Sequence, residues 1–451
     1  MLKKIGDVFD DKNLDKAYVR IKDSTFPTPF PGGVEFSAPV RGVWNIVHVG
    51  MLMPEAHEVF VCGGCCLRGV VLTAAEMNAT DRFSTVTVEE KNLFDGTLED
   101  LIVDGVTDCI AKLPDKPKVI QVYTNCIHHF AGIDFDNVYE RLEKKNPDRK
   151  FMRCFMNPIM RKSGLAPDPL MRKQLFSLLE KPTEKDEKLF AVIGNDYPIN
   201  EDSELREIVN TAGYKYIEIQ DCNTYEEYQQ IAKASTFLTT YLPAVPAGES
   251  CAMRLGGKHI YKPIAFDYDE IREILDAIAD EICAPHIDHE SKIAECEKLL
   301  SDAKDIIKEM PIAIDYTFAP RPLSLAYLLL THGFKVECVF ADSFSKEEEK
   351  AYDALCEEYP DFLIYATSRY EMRYVRESER DKYLALGQKA AYFMNTDYFV
   401  NFVIGSGHFG YEIIRALSVE MIDAYKNKKN ADEIISVKGW GCEEECSRLQ
   451  V

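Results

Sequence analysis

Three thiols and two glycines stand together in Cys62-Gly63-Gly64-Cys65-Cys66, the densest concentration of reactive groups in the chain. Paired glycines let a backbone pass close to a bulky inorganic group and leave amides free to bond its sulfides. A thiol at a helix N-terminus faces the positive end of the dipole, which favours the thiolate and suits it as a metal ligand. Cys126 has the same placement, at the end of an apolar run and ahead of a helical pattern. No second Cys-x-x-Cys motif pairs with Cys62-Gly-Gly-Cys65, and the chain offers no complete local set of four thiolates. Cys62, Cys65, Cys66 and Cys126 therefore stand as candidate metal ligands, with Cys62 and Cys65 open to a second reading as core thiols beside a tight turn.

The remaining thiols and imidazoles say less. Cys109, Cys154, Cys222, Cys283, Cys296, Cys338 and Cys356 read as small buried hydrophobes. Cys442 and Cys446 flank three glutamates and read as part of an exposed tail. His128 and His129 follow Cys126 directly. His286 and His289 have a spacing that zinc accepts, but with no thiol in register a loop or cap role is the better reading. His408 lies in Gly405-Ser-Gly-His-Phe-Gly410, a glycine-rich loop before the last long helical pattern.

Strands and helices must alternate to position these groups. His57 to Val61 reads as extended and Leu67 to Met77 as helix; Lys118 to Thr124 reads as strand and Asp136 to Lys145 as helix. Both cysteine groups thus fall at a strand's carboxyl end, where open α/β sheets bind ligands. A second alternation starts at Leu189 and a third at Pro311, with Gly213 as a helix cap and Ser345 to Glu348 as a capping box. The reading is an α/β chain of three Rossmann-like, doubly wound parallel-sheet domains. Their expected limits are an arm over 1–35, a cluster-binding domain over 36–187 whose last part (from Phe151) is an irregular connector, further domains over 188–308 and 309–427, and a polar tail over 428–451.

Composition excludes several classes. With 46% apolar residues in 451, the chain buries several cores and is not disordered. No apolar run approaches the roughly 20 residues that span a bilayer, and no signal-peptide core follows the first lysines, so no membrane partner and a cytoplasmic location are expected. A net charge of −22 opposes phosphate backbones, so no nucleic acid is expected, and it steers basic proteins inward. The 14 cysteines then belong to a reducing compartment rather than to a disulfide framework. No Gly-x-x-x-x-Gly-Lys-Ser/Thr loop cradles nucleotide phosphates.

Four segments in order resemble the component 1 family of nitrogenases and their relatives. Val61-Cys-Gly-Gly-Cys-Cys66 resembles the family's Gly-Pro-x-Gly-Cys turn. Glu90-Lys-Asn-Leu-Phe-Asp-Gly96 resembles its Glu-Lys-Asp-x-x-Phe-Gly-Gly stretch, and Cys126 through Gly132 and Asp134 keeps the spacing of its Cys-Pro-x-x-Leu-Ile-Gly-Asp-Asp motif. Gly407-His-Phe-Gly-Tyr-Glu412 resembles its late His-Gly-Tyr-Glu/Asp-Gly loop. The resemblance implies three Rossmann-like domains, a 4Fe–4S-type iron–sulfur cluster on Cys126 and on two of Cys62, Cys65 and Cys66, and a substrate cavity bordered by catalytic His408 and cofactor-binding Cys251. It implies as partners an ATP-dependent iron–sulfur reductase protein, a second copy or related chain in a homodimer or heterodimer, and a small-molecule substrate. A scaffold for metallocluster or tetrapyrrole assembly is the alternative function. The chain departs from the family pattern in three places. Phe36 to Val40 lacks the further cluster Cys, no Cys stands near Tyr241, and the family His aligns with Phe409, one residue from His408.

Overall fold

The structure, a computed structural model, describes residues 11–114, 116–157 and 164–436. These divide into two compact units, one formed by residues 44–198 and 213–263, the other by 11–43, 199–212 and 264–436. Cys442 and Cys446 lie outside the described residues.

The first unit contains two four-stranded sheets, all parallel. In one the order is Phe83–Thr87, Ala56–Cys62, Val119–Asn125, Lys150–Met156. In the other it is Lys215–Ile217, Asp186–Val192, Ala234–Thr239, Lys258–Tyr261. Every residue of Ala56–Cys62 and of Val119–Asn125 is buried, as expected of parallel strands covered on both faces. Phe60 and Tyr123 stack across that pair with ring centroids 4.0 Å apart. In both sheets the first strand in the chain pairs with the second on one side and the third on the other. The connections after the first and third strands therefore leave the sheet in opposite directions, opening a crevice at their carboxyl ends.

A buried polar knot anchors the short helix Ile46–Met51 to the first sheet. Gln121 donates to the Gly50 carbonyl at 2.8 Å, and the Tyr123 hydroxyl lies 3.2 Å from the Glu58 carboxyl. A Cβ at Gly50 would stand 2.2 Å from both Glu58 and Tyr123, so only glycine allows this approach. Burial holds the Glu58 carboxyl well above the usual carboxylate range.

The second unit is built on one six-stranded sheet in the order Tyr18–Arg20, Leu363–Tyr365, Val336–Phe340, Ile312–Asp315, Leu384–Leu386, Phe399–Val400. Only Tyr18–Arg20 is antiparallel. The crevice of this sheet opens between Ile312–Asp315 and Leu384–Leu386. Among the described residues, no helix is long and apolar enough to cross a membrane.

The structure corrects several local readings. The expected connector carries the edge strand Lys150–Met156 and the helix Pro167–Leu175, whose two prolines sit in the first turn where the missing N–H costs nothing. The arm contributes the strand Tyr18–Arg20, and the tail begins with a helix, Ala431–Ile435, that buries Ala431 and Ile435. Cys126 opens a separate short helix, Cys126–Phe130, ahead of Phe135–Lys145. Cys283 is exposed, with φ of 55° just past the helix Tyr268–Glu281, and Cys109 and Cys356 are half-buried. Ser345 makes no side-chain cap; the Glu348 carboxylate turns inward and accepts from the Ser324 amide at 2.9 Å, capping Pro322–Thr331 instead.

That inward turn has a pH signature. Burial pushes the Glu348 carboxyl up to about 8 from an ordinary value of 4.5. Between those values the folded chain keeps a proton that the unfolded chain has lost, so stability falls as pH rises. From this group the slope is at most about 1.4 kcal/mol per pH unit. Denaturant unfolding at pH 5 and pH 8 should show a smaller loss for Glu348→Gln than for the native chain. Equal losses would show that Glu348 ionises normally.

Candidate functional site

The crevice of the first sheet collects the thiols. Cys62 is the last residue of its strand and fully buried, and Gly63 opens the helix Gly64–Glu76 from an extended conformation. Cys65 and Cys66 fall in the first turn of that helix, both exposed, with sulfurs 3.9 Å apart. Across the crevice Asn125 ends its strand and caps Cys126–Phe130: its Oδ1 accepts from the Ile127 amide at 3.3 Å. The same side chain donates through Nδ2 to the Cys66 sulfur at 3.5 Å, so one carboxamide links the two thiol-bearing turns. Cys126 is half-buried, with the Met156 carbonyl 4.0 Å from its sulfur.

Electrostatics separates the four. Burial pushes the Cys62 thiol up to about 12, with Cys66 and Cys65 adding to the shift, so Cys62 is a neutral core thiol in this arrangement. Burial also raises the Cys66 thiol, while the Asn125 amide lowers it. His128 is fully buried and burial lowers its imidazole to about 4, so the ring is neutral. Its Nδ1 lies 3.2 Å from the Asn125 backbone nitrogen and 3.1 Å from Asn125 Oδ1, and its buried Nε2 has no protein partner.

These residues do not suit a single metal ion. Among the described residues, no three Cys, His, Asp or Glu side chains form a group able to hold one. Thiolates are the ligands of iron–sulfur groups, and these stand on two turns of one crevice. Cys65, Cys66 and Cys126 border it, no atom lies within 4 Å of a Cβ built at Gly64, and the buried Nε2 of His128, two residues from Cys126, has no protein partner.

In the second unit His408 follows the tight turn Ile404–Gly407. Glu412 lies 2.6 Å from His408 Nδ1 and Asn200 2.7 Å from it, and Phe402 packs on the ring at 4.5 Å. His408 Nδ1 thus lies within hydrogen-bond distance of both the Glu412 carboxylate and the Asn200 amide nitrogen, which fix the ring and leave Nε2 as its other face. Glu412 is itself held: its amide donates to Glu204 at 3.1 Å, and Arg415 pairs with Glu204 at 2.7 Å.

A family model for nitrogenase component 1 type oxidoreductases matches residues 51–412. The chain belongs to the nitrogenase component 1 type oxidoreductase family. Its fold is similar to that of nitrogenase Cp1 at pH 6.5, with a TM-score of 0.63 at 14% identity over 88% of this chain and 94% of that one. The structure of nitrogenase Cp1 at pH 5 gives 0.54 at 12% identity over 92% and 94%. At such identities the likeness is one of fold. No curated protein matches the chain. The family binds metal–sulfur clusters.

Within this family member the other expected site residue, Cys251, is fully buried in the helix Val245–Leu255, its thiol pushed up to about 12 by burial. The structure packs it as a core residue. His286 and His289 both contact Asp276, at 3.2 and 2.8 Å, and serve the helix junction there. Sequence reasoning missed Asn125, Asn200 and Glu204. It also missed the third crevice, where buried Asp315 accepts from the Thr317 and Ala390 amides beside Gln388 and Lys389. For Asn125 and Asp315 the available signal was a polar residue at a strand's carboxyl end; Asn200 and Glu204 carried no such signal.

The His408 geometry is testable without substrate. Nitrogen-detected NMR of histidine-labelled protein should find a single tautomer for His408, and Glu412→Ala should release the ring into a tautomer mixture while costing about 1–3 kcal/mol of stability. An unchanged ring spectrum in that variant would remove Glu412 as its anchor.

Proposed function

We propose that this chain is the catalytic component of a nitrogenase-like reductase that takes electrons from an ATP-dependent iron–sulfur reductase partner and delivers them to a small-molecule substrate. The observation that carries this reading is the gathering of Cys65, Cys66 and Cys126 at one crevice in a chain of this family. These three thiols would hold a 4Fe–4S-type cluster and leave one position to another ligand. Such a cluster supplies one-electron transfer when bound.

The chain's own residues serve that role in separate ways. Gly64 leaves space beside the thiols, and His128 keeps a buried ring nitrogen without a protein partner. Phe94 and Phe130, 86% and 76% exposed, end the short helices Glu90–Phe94 and Cys126–Phe130 that follow strands of the same sheet. Apolar rings left in water beside thiols support cover by a second protein chain, in a homodimer or a heterodimer. His408, held through Nδ1 by Glu412 and Asn200, would act on substrate through Nε2. All twelve described cysteines are free, which fits a reducing, cytoplasmic setting. Assembly of a metallocluster for transfer elsewhere is a second reading, favoured by the exposure of Cys65 and Cys66; turnover with a reductase partner separates the two.

Anaerobic purification followed by iron, sulfide and EPR analysis tests the proposal. The native chain should carry both elements as a dimer, and Cys126→Ala should lose most of its iron. Wild-type iron with an unchanged EPR signal in Cys126→Ala would remove this residue from the ligand set.

A further inference from the structure

Asn125 occupies a place that no local motif explains. As the last residue of Val119–Asn125 it is 2% exposed, and its backbone is in register with Met156 of the neighbouring strand. Its backbone amide is taken by His128 Nδ1 at 3.2 Å, its Oδ1 by the Ile127 amide, and its Nδ2 reaches the Cys66 sulfur at 3.5 Å. With backbone and Oδ1 both fixed, the Nδ2–H direction is set by the fold and not by a mobile rotamer.

We propose that Asn125 is a positioning residue of the cysteine crevice, whose N–H···S bond to Cys66 sets the reduction potential of the cluster held there. The proposal rests on the reading that Cys66 is a cluster ligand. Reduction adds negative charge that spreads onto the ligating sulfurs. A donor aimed at one of them stabilises the reduced form more than the oxidised form, and so raises the potential. Outer partners of this kind also fix the orientation of the ligand they touch. A helix cap alone asks only for the Oδ1 acceptor, which Ser and Asp supply equally well. The amide donor is what distinguishes Asn at this position.

The experiment is an anaerobic redox titration of the full chain followed by EPR, with native protein, Asn125→Ser and Asn125→Asp. Both variants keep a capping oxygen, and neither can donate an amide N–H to sulfur. Thermal melts would confirm that each is folded; Asp, being isosteric, covers the case in which Ser is not. Both should keep native iron content and become harder to reduce. For Asn125→Ser the ratio of reduced to oxidised cluster at a fixed potential should fall about tenfold, or ~59 mV for one electron. Asn125→Asp should fall further because it adds negative charge. Unchanged potentials in folded, iron-loaded variants would overturn the proposal while leaving the reductase reading in place. Native protein without iron, even after incubation with ferrous ion and sulfide, would overturn both.

Discussion

The parallel pairing of Ala56–Cys62 with Val119–Asn125 is the constraint on which the cysteine crevice depends. Their register runs from Ala56 opposite Val119 to Phe60 opposite Tyr123, so both strands end at nearly the same level. Both are buried on two faces, and a slip by one residue would turn every side chain to the wrong side. The chain leaves the first strand toward Phe83–Thr87 and the second toward Lys150–Met156, on opposite sides. The two exits must therefore part, and the thiols of two turns more than 50 residues apart in sequence come to border one gap.

Holding that gap is a matter of hydrogen bonds more than of charge. The side chains at its rim are amides, thiols and a neutral imidazole, and burial favours the uncharged forms of Cys62 and His128. The same economy recurs in both units. Glu58 and Glu348 are buried acids whose carboxyls burial pushes up; one oxygen of each meets a hydroxyl or a backbone amide, and the other has no protein partner. The strongly acidic balance of the chain is thus carried mainly by its surface, where it remains available to attract a basic partner.

The His408 loop is arranged differently. It draws on a helix, Glu204–Thr211, that lies in sequence between two strands of the first unit yet belongs to the second. Glu204 is fully buried and links the Glu412 amide to Arg415, while Asn200 reaches His408 directly. Gly410 permits this: it has φ of 80°, and a Cβ there would stand 2.6 Å from the Glu204 carboxylate. The excursion of the chain supplies the acid that holds the Glu412 amide and Arg415.

What the sequence determined by itself was the class of fold and the residues able to do chemistry. Apolar runs ending in glycine, cysteine or asparagine mark parallel strands and their carboxyl turns, because period and turn chemistry are local properties of the chain. Cys65, Cys66, Cys126 and His408 were legible for the same reason. Segments with weak local signal were not: Lys150–Met156 is an edge strand with exposed Lys150 and Arg153, and Pro167–Leu175 begins with residues that elsewhere break helices. Which thiols face solvent and which fill a core was decided only by tertiary structure, since Cys62, Cys65 and Cys66 are near neighbours in sequence with different burial. So was the partnership of Asn125 with Cys66 and of Glu204 with Glu412. Burial and long-range hydrogen bonds depend on which elements pack together, and no local pattern encodes them.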